Sequence, residues 1–148
     1  MTPITLVDIQ SGTFSMPSEI SLPSDLRKAE FNIRLRLRFF YQKNRDFVMT
    51  EIYTAYLLKE QEIMSFDMTL GFHIKEWAEK LDSLTDISKL KEDKEVLQIA
   101  EISVGVLRGT LFEKTQNSPL APLYLPIADI NRVLENCEFI DMASITNE

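Results

Sequence analysis

Residues 102–134, ISVGVLRGTLFEKTQNSPLAPLYLPIADINRVL, read as the end of a helix, a glycine break, an apolar loop and a second, shorter helix. Gly109 stands where a C-terminal glycine closes a helix, and Arg108 in the last turn complements the negative end of the helix dipole. Gly105 lies inside the same helix at a cost of about 1 kcal/mol relative to alanine. Close approach of another backbone, which only a missing side chain permits, is the expected compensation. From Glu113 to Leu125 the pattern is that of a loop, because Pro119, Pro122 and Pro126 prevent a continuous ladder or helix. Yet Leu120, Leu123, Tyr124 and Leu125 are too apolar for a freely solvated linker, so the loop is expected to pack on something. A final helix is expected from about Ala128 to Cys137, with Ile130, Val133 and Leu134 as its apolar side, and residues 141–148 read as a frayed tail.

Upstream, Trp77 to Glu95 is charged and free of proline and glycine, with Asp82 or Asp86 as the candidate cap of a long helix ending at Gly109. Its stripe, Leu90, Val96 or Leu97, Ile99, Ser103, Val106 and Leu107, recurs every three or four residues, as in a helix lying on a sheet or on a partner helix. Before it come four strands. Thr5–Ser15 is the first, and Pro17 and Pro23 place a loop after it. In the second, Phe31, Ile33, Leu35, Leu37 and Phe39 alternate with Asn32, Arg34, Arg36 and Arg38, giving one apolar and one basic face. A polar turn at 41–46 leads to Phe47–Leu58, which is apolar on both faces and therefore expected at the centre of the sheet or in an oligomer contact. After a turn at 59–62 the fourth strand alternates again, with Met64, Phe66, Met68, Leu70, Phe72 and Ile74 on one side. The expectation is one α+β domain over residues 1–148: a four-stranded antiparallel meander, one long helix packed on it and a short C-terminal helix.

Composition narrows the function. At 148 residues and 45% apolar content the chain can bury a core of its own. A net charge of −7 disfavours general affinity for nucleic acid or anionic membrane. The single cysteine, Cys137, and single histidine, His73, allow neither an intramolecular disulfide nor a standard zinc set, which favours a reduced, cytoplasmic setting without metal or cofactor. The first residues lack the basic start and apolar run of a signal peptide, and no later stretch is a long uninterrupted apolar span, so a soluble, unprocessed protein is expected.

No catalytic constellation stands out. His73 lacks an orienting partner and a nucleophile and reads as a solvent-facing strand-end residue. Glu51 and Asp67 on adjacent strands read as surface carboxylates, and Cys137 as a small buried hydrophobe. Arg34, Arg36 and Arg38 read as a solvated strand face or a row of intersubunit ion pairs.

Three short runs go further: Phe72-His73-Ile74 closing the fourth strand, the Arg108-Gly109 pair in Leu107-Arg108-Gly109-Thr110, and Leu123-Tyr124-Leu125-Pro126 entering the last helix. In this order, over most of the chain, they resemble the SecB family of export chaperones. The chain departs from that pattern at Lys91–Glu95, which replaces an aromatic and proline cluster, and at Glu113–Ala121, which lengthens the crossover loop. The acidic residue of export-dedicated members falls on Ser65, with Asp67 on the same face, which weakens the case for a translocase motor as partner.

The resemblance implies an ATP-independent holdase for unfolded or partly folded proteins, serving preprotein export and transport or a dedicated partner such as an antitoxin. It implies client contact at Phe72, Ile74, Leu120, Leu123 and Tyr124, although the same set can equally be core that seats the crossover loop. A homodimer or homotetramer is implied as well, for which the apolar second face of the third strand is an independent motive. Tyr53, Leu57, Ile99, Ser103 and Val106 are the expected interface residues. A structural or adaptor protein is the alternative from another class, and an enzyme the least supported.

Overall fold

The structure, a computed structural model, describes residues 4–16, 31–118 and 129–143. Five strands, β1 (Ile4–Ser15), β2 (Phe31–Tyr41), β3 (Phe47–Leu58), β4 (Gln61–Ile74) and β5 (Glu138–Asp141), form one sheet in the order β1-β4-β3-β2-β5. The pairs β1–β4, β3–β4 and β2–β3 are antiparallel, whereas β5 runs parallel to β2 over Arg38–Tyr41. The expected four-stranded antiparallel meander is thus corrected to a five-stranded mixed sheet, with β1 beside β4. β5 is too short for alternation to reveal. What makes it a strand is distant in sequence, its ladder with β2 and the stacking of Phe139 on Phe39 at 5.1 Å between ring centres.

The β3–β4 hairpin turns on Lys59 and Glu60, whose φ angles of 52° and 67° give the left-handed pair that matches the twist of a two-residue hairpin. The β2–β3 turn has a second task. Asp46 accepts the N–H of Ala78 on its Oδ1 at 2.8 Å, and its carbonyl accepts the N–H of Ile74 at 3.0 Å. It thereby ties the end of β4 to the first turn of helix α1 (Trp77–Ser83), which lacks a side-chain cap of its own.

The expected long helix is divided. Leu84 is extended, Asp86 caps a 3-10 segment (Ile87–Glu92) by accepting the Ser88 N–H, and Asp93 caps α2 (Lys94–Thr115) by accepting the N–H groups of Glu95 and Val96. Gly109 does not end α2, which continues to Thr115. The buried stripe Val96, Ile99, Ala100, Ser103, Val104, Leu107, Leu111 and Thr115 runs past it, and burial of that length outweighs one glycine. Glu113–Thr115, expected in the loop, are therefore helical. The last helix, α3 (Ile130–Glu135), is shorter than expected and starts from the Asp129 cap.

Alternation places the core. Leu37, Phe39, Val48, Ile52, Tyr56, Met64, Phe66, Met68, Leu70, Phe72 and Ile74 line one sheet face, and the α2 stripe, Trp77, Leu90 and Leu134 cover them. Within that layer Thr50 Oγ1 and Ser103 Oγ are 2.9 Å apart, a buried hydrogen bond joining β3 to α2. No helix among the described residues is long and apolar enough to cross a membrane.

Candidate functional site

The sheet is wider than the helical layer that covers it. β1 joins the sheet beside β4, and its ladder is irregular between Leu6 and Asp8. That extra residue lets Leu6, opposite Phe72, and Ile9, opposite Leu70, both lie on the helix side of the sheet, three positions apart. They are nonetheless 37% and 50% exposed, and Val7 between them 54%. The result is an apolar shelf along the outer strand. At its far end Phe14 packs edge-on against Phe66 at 5.9 Å, and the Lys114 ammonium of α2 lies 5.7 and 5.3 Å from the two ring centres.

Phe72 and Ile74, expected at a client groove, sit one strand further in and are 0% exposed, so they form the floor beneath the helices and offer no surface of their own. Leu120, Leu123 and Tyr124 lie outside the described residues. The shelf was missed in the sequence because Thr5–Ser15 shows no clean alternation, the bulge having shifted its phase.

The expected interface residues divide in the same way. Ile99 and Ser103 are fully buried against the sheet, Leu57 is buried, and Tyr53 and Val106 are half-buried. The opposite face of α2 carries Ile102 (37% exposed), Gly105, Gly109 and Phe112 (49% exposed). A Cβ at Gly105 or Gly109 would meet nothing within 4 Å among the described residues, so none of them makes the close approach expected at Gly105. This strip of α2 is uncharged, apolar at both ends and free of side chains at its middle.

Several titratable groups are engaged in structure. Glu51 is paired with Arg38, while Asp67 accepts the Thr13 N–H at 3.0 Å, so these two carboxylates serve separate purposes. The Cys137 thiol is buried, donates to the Leu134 carbonyl at 3.0 Å and is pushed above its usual pKa, by burial first. Burial pushes Tyr56 up to about 12. His73 is exposed. Among the described residues no three or more His, Cys, Asp or Glu side chains are grouped to hold a metal ion.

No protein-family model and no curated protein matches the chain. Among solved structures it is similar to a SecB-like chaperone of Mycobacterium tuberculosis, in complex with a ChAD peptide from the HigA1 antitoxin. That likeness has a TM-score of 0.50 at 14% identity and covers 85% of this chain and 88% of the other. At such identity the likeness is one of fold: the α+β architecture, with helices on a mixed sheet, is SecB-like.

Proposed function

We propose that this chain is an ATP-independent holdase that keeps extended, non-native polypeptides soluble. The observation that carries the proposal is the position of Leu6 and Ile9, which lie on the core side of the sheet yet remain exposed beyond the edge of the helical layer. Such a shelf offers apolar contact to a chain lying along β1, and many weak contacts of this kind sum over a long client. The SecB-like fold supports the reading, and the antitoxin peptide held by the Mycobacterium tuberculosis protein favours a dedicated client over general preprotein export. Leu120, Leu123 and Tyr124, outside the described residues, remain proposed client contacts on their apolar character alone.

Assembly into a cytoplasmic homodimer or dimer of dimers belongs to the same proposal. The exposed strip of Ile102, Gly105, Gly109 and Phe112 supports α2 as the contact. Light scattering on the eluting protein tests it, and a sole 17.1 kDa species would remove the assembly.

The holdase itself is tested by suppression of aggregation of a heat-labile client. Leu6→Ser with Ile9→Ser should remove most of the protection while leaving the circular dichroism spectrum unchanged. Full protection by a folded double variant would refute the shelf. A second reading, a structural or adaptor protein whose apolar surface is consumed in a fixed assembly, rests on the same α2 strip. It predicts little binding of an apolar dye by the assembled protein, whereas a holdase binds it.

A further inference from the structure

At the other edge of the sheet, β5 accompanies β2 only over Arg38–Tyr41, so among the described residues no strand neighbours the outer edge of β2 from Asn32 to Leu37. The face of β2 turned away from the helices carries Arg34, Arg36 and Arg38 at every second position, about 6.7 Å apart along the strand. Two of these guanidinium groups are held. Arg36 lies over the Tyr53 ring at 5.1 Å, and the Tyr53 hydroxyl donates to Glu62 at 3.1 Å; Arg38 bonds Glu51 and lies 5.5 Å from the Phe40 ring centre. Arg34 and Arg36 are exposed, and neither has an acidic partner among the described residues.

The chain itself shows what this edge accepts. β5 has the sequence Glu-Phe-Ile-Asp, and its register sets Glu138 opposite Arg38. We propose that the open stretch of β2, Asn32–Leu37, is a docking edge for an extended acidic segment of another polypeptide, which adds as a strand in line with β5. Acidic side chains at alternate positions of that segment would stand opposite Arg36 and Arg34, in the register that sets Glu138 opposite Arg38. Two repeats of the same period make the match commensurate: a strand's alternate side chains and the arginines of β2 share one spacing. Edge backbone groups without a partner among the described residues supply affinity, and the cross-strand charges supply the choice of partner.

A nucleic acid is the lesser fit. The half-buried ring of Tyr53 is already covered by Arg36, Phe40 beside Arg38 is buried, and Glu51, Glu62 and the net charge of −7 repel a long polyanion. The site lies at the opposite edge of the sheet from β1 and does not depend on the holdase reading.

The test is a fluorescence anisotropy titration with a labelled peptide of alternating glutamate and valine, against the same peptide with lysine for glutamate and a single-stranded oligothymidylate. Hydrogen exchange of the 32–37 amides is followed in parallel. The glutamate peptide should bind and slow exchange of those amides, and R34E with R36E should weaken it by about tenfold or more. Should the double reversal fail to fold, Arg34→Gln, at an exposed side chain, should still weaken binding by about threefold. Equal binding of the lysine peptide, unchanged amide exchange, or tighter binding of the oligonucleotide would overturn the proposal. So would amide protection that rises with protein concentration alone, which would give the edge to a second copy.

Discussion

Asp67 of β4 fills the space that a side chain at Gly12 of β1 would need: a Cβ there would lie 2.0 Å from Asp67 Oδ2. The other carboxylate oxygen accepts the N–H of Thr13 at 3.0 Å, within the stretch from Ser11 to Phe14 where the ladder loses register. A side chain thus replaces the missing ladder bond and holds the outer strand in its bulged course, with the exposed Leu6, Val7 and Ile9 preceding it.

Gly12→Ala should therefore destabilise the protein by displacing Asp67 from Thr13. Bare conformational entropy predicts the opposite sign, since alanine for glycine stabilises by roughly 0.4–1 kcal/mol where the backbone allows it. In an Asp67→Ala background the obstacle is gone and Gly12→Ala should be neutral or stabilising. A double-mutant cycle by urea denaturation should give a coupling of about 1 kcal/mol. Additive effects would show that the contact contributes nothing.

Ser103→Ala should cost about 1–3 kcal/mol, because the Thr50 hydroxyl is then left buried without its partner. Replacing both, with Thr50→Val and Ser103→Ala, removes donor and acceptor together at nearly unchanged volume. The pair should be less destabilised than the single variant in the same denaturation experiment.

The sequence discloses those parts of the fold that repeat with a period. Alternation in β2 and β4 identifies the core face residue by residue, from Leu37 and Phe39 to Phe72 and Ile74. It cannot say how far the helical layer extends across the sheet, so Phe72 looks like a groove residue and proves to be floor, while Leu6 and Ile9 are hidden by a phase shift. β5 depends on a partner about a hundred residues earlier in the chain. Gly109 carries the signature of a helix end and lies mid-helix, because a cost near 1 kcal/mol is small against the burial of Leu111 and Thr115 beyond it.

Gly105 and Gly109 separate helix propensity from assembly. Alanine at either position meets no described neighbour within 4 Å and should stabilise the protomer by about 0.5–1 kcal/mol through backbone entropy. A leucine at Gly105 instead adds bulk to the middle of the strip between Ile102 and Phe112. If α2 packs on a second copy there, Gly105→Leu should shift light scattering to a smaller mass with the helix intact. An unchanged mass would remove this face from the interface.

Stability should carry an alkaline limb set by Lys80. Its ammonium hydrogen-bonds Asp93 at 2.8 Å and also Glu95, clamping α1 to the capped start of α2. Burial pulls its pKa down, but the bonds to Asp93 and Glu95 outweigh that, and the net displacement is upward from 10.5. A group raised in the folded state contributes its stability fully below the unfolded pKa and loses it as the pH climbs through the folded one. Lys80→Met should thus be destabilised at neutral pH by on the order of 1–3 kcal/mol, discounted from a fully buried pair because the Lys80 side chain is 29% exposed. Melting curves of wild type and variant should then converge above pH 10.5, as the wild type sheds the proton that the variant never had. A difference that stays constant from pH 7 to 12 would mean that Lys80 contributes through packing on Trp77, 5.7 Å from its ring centre, and not through charge.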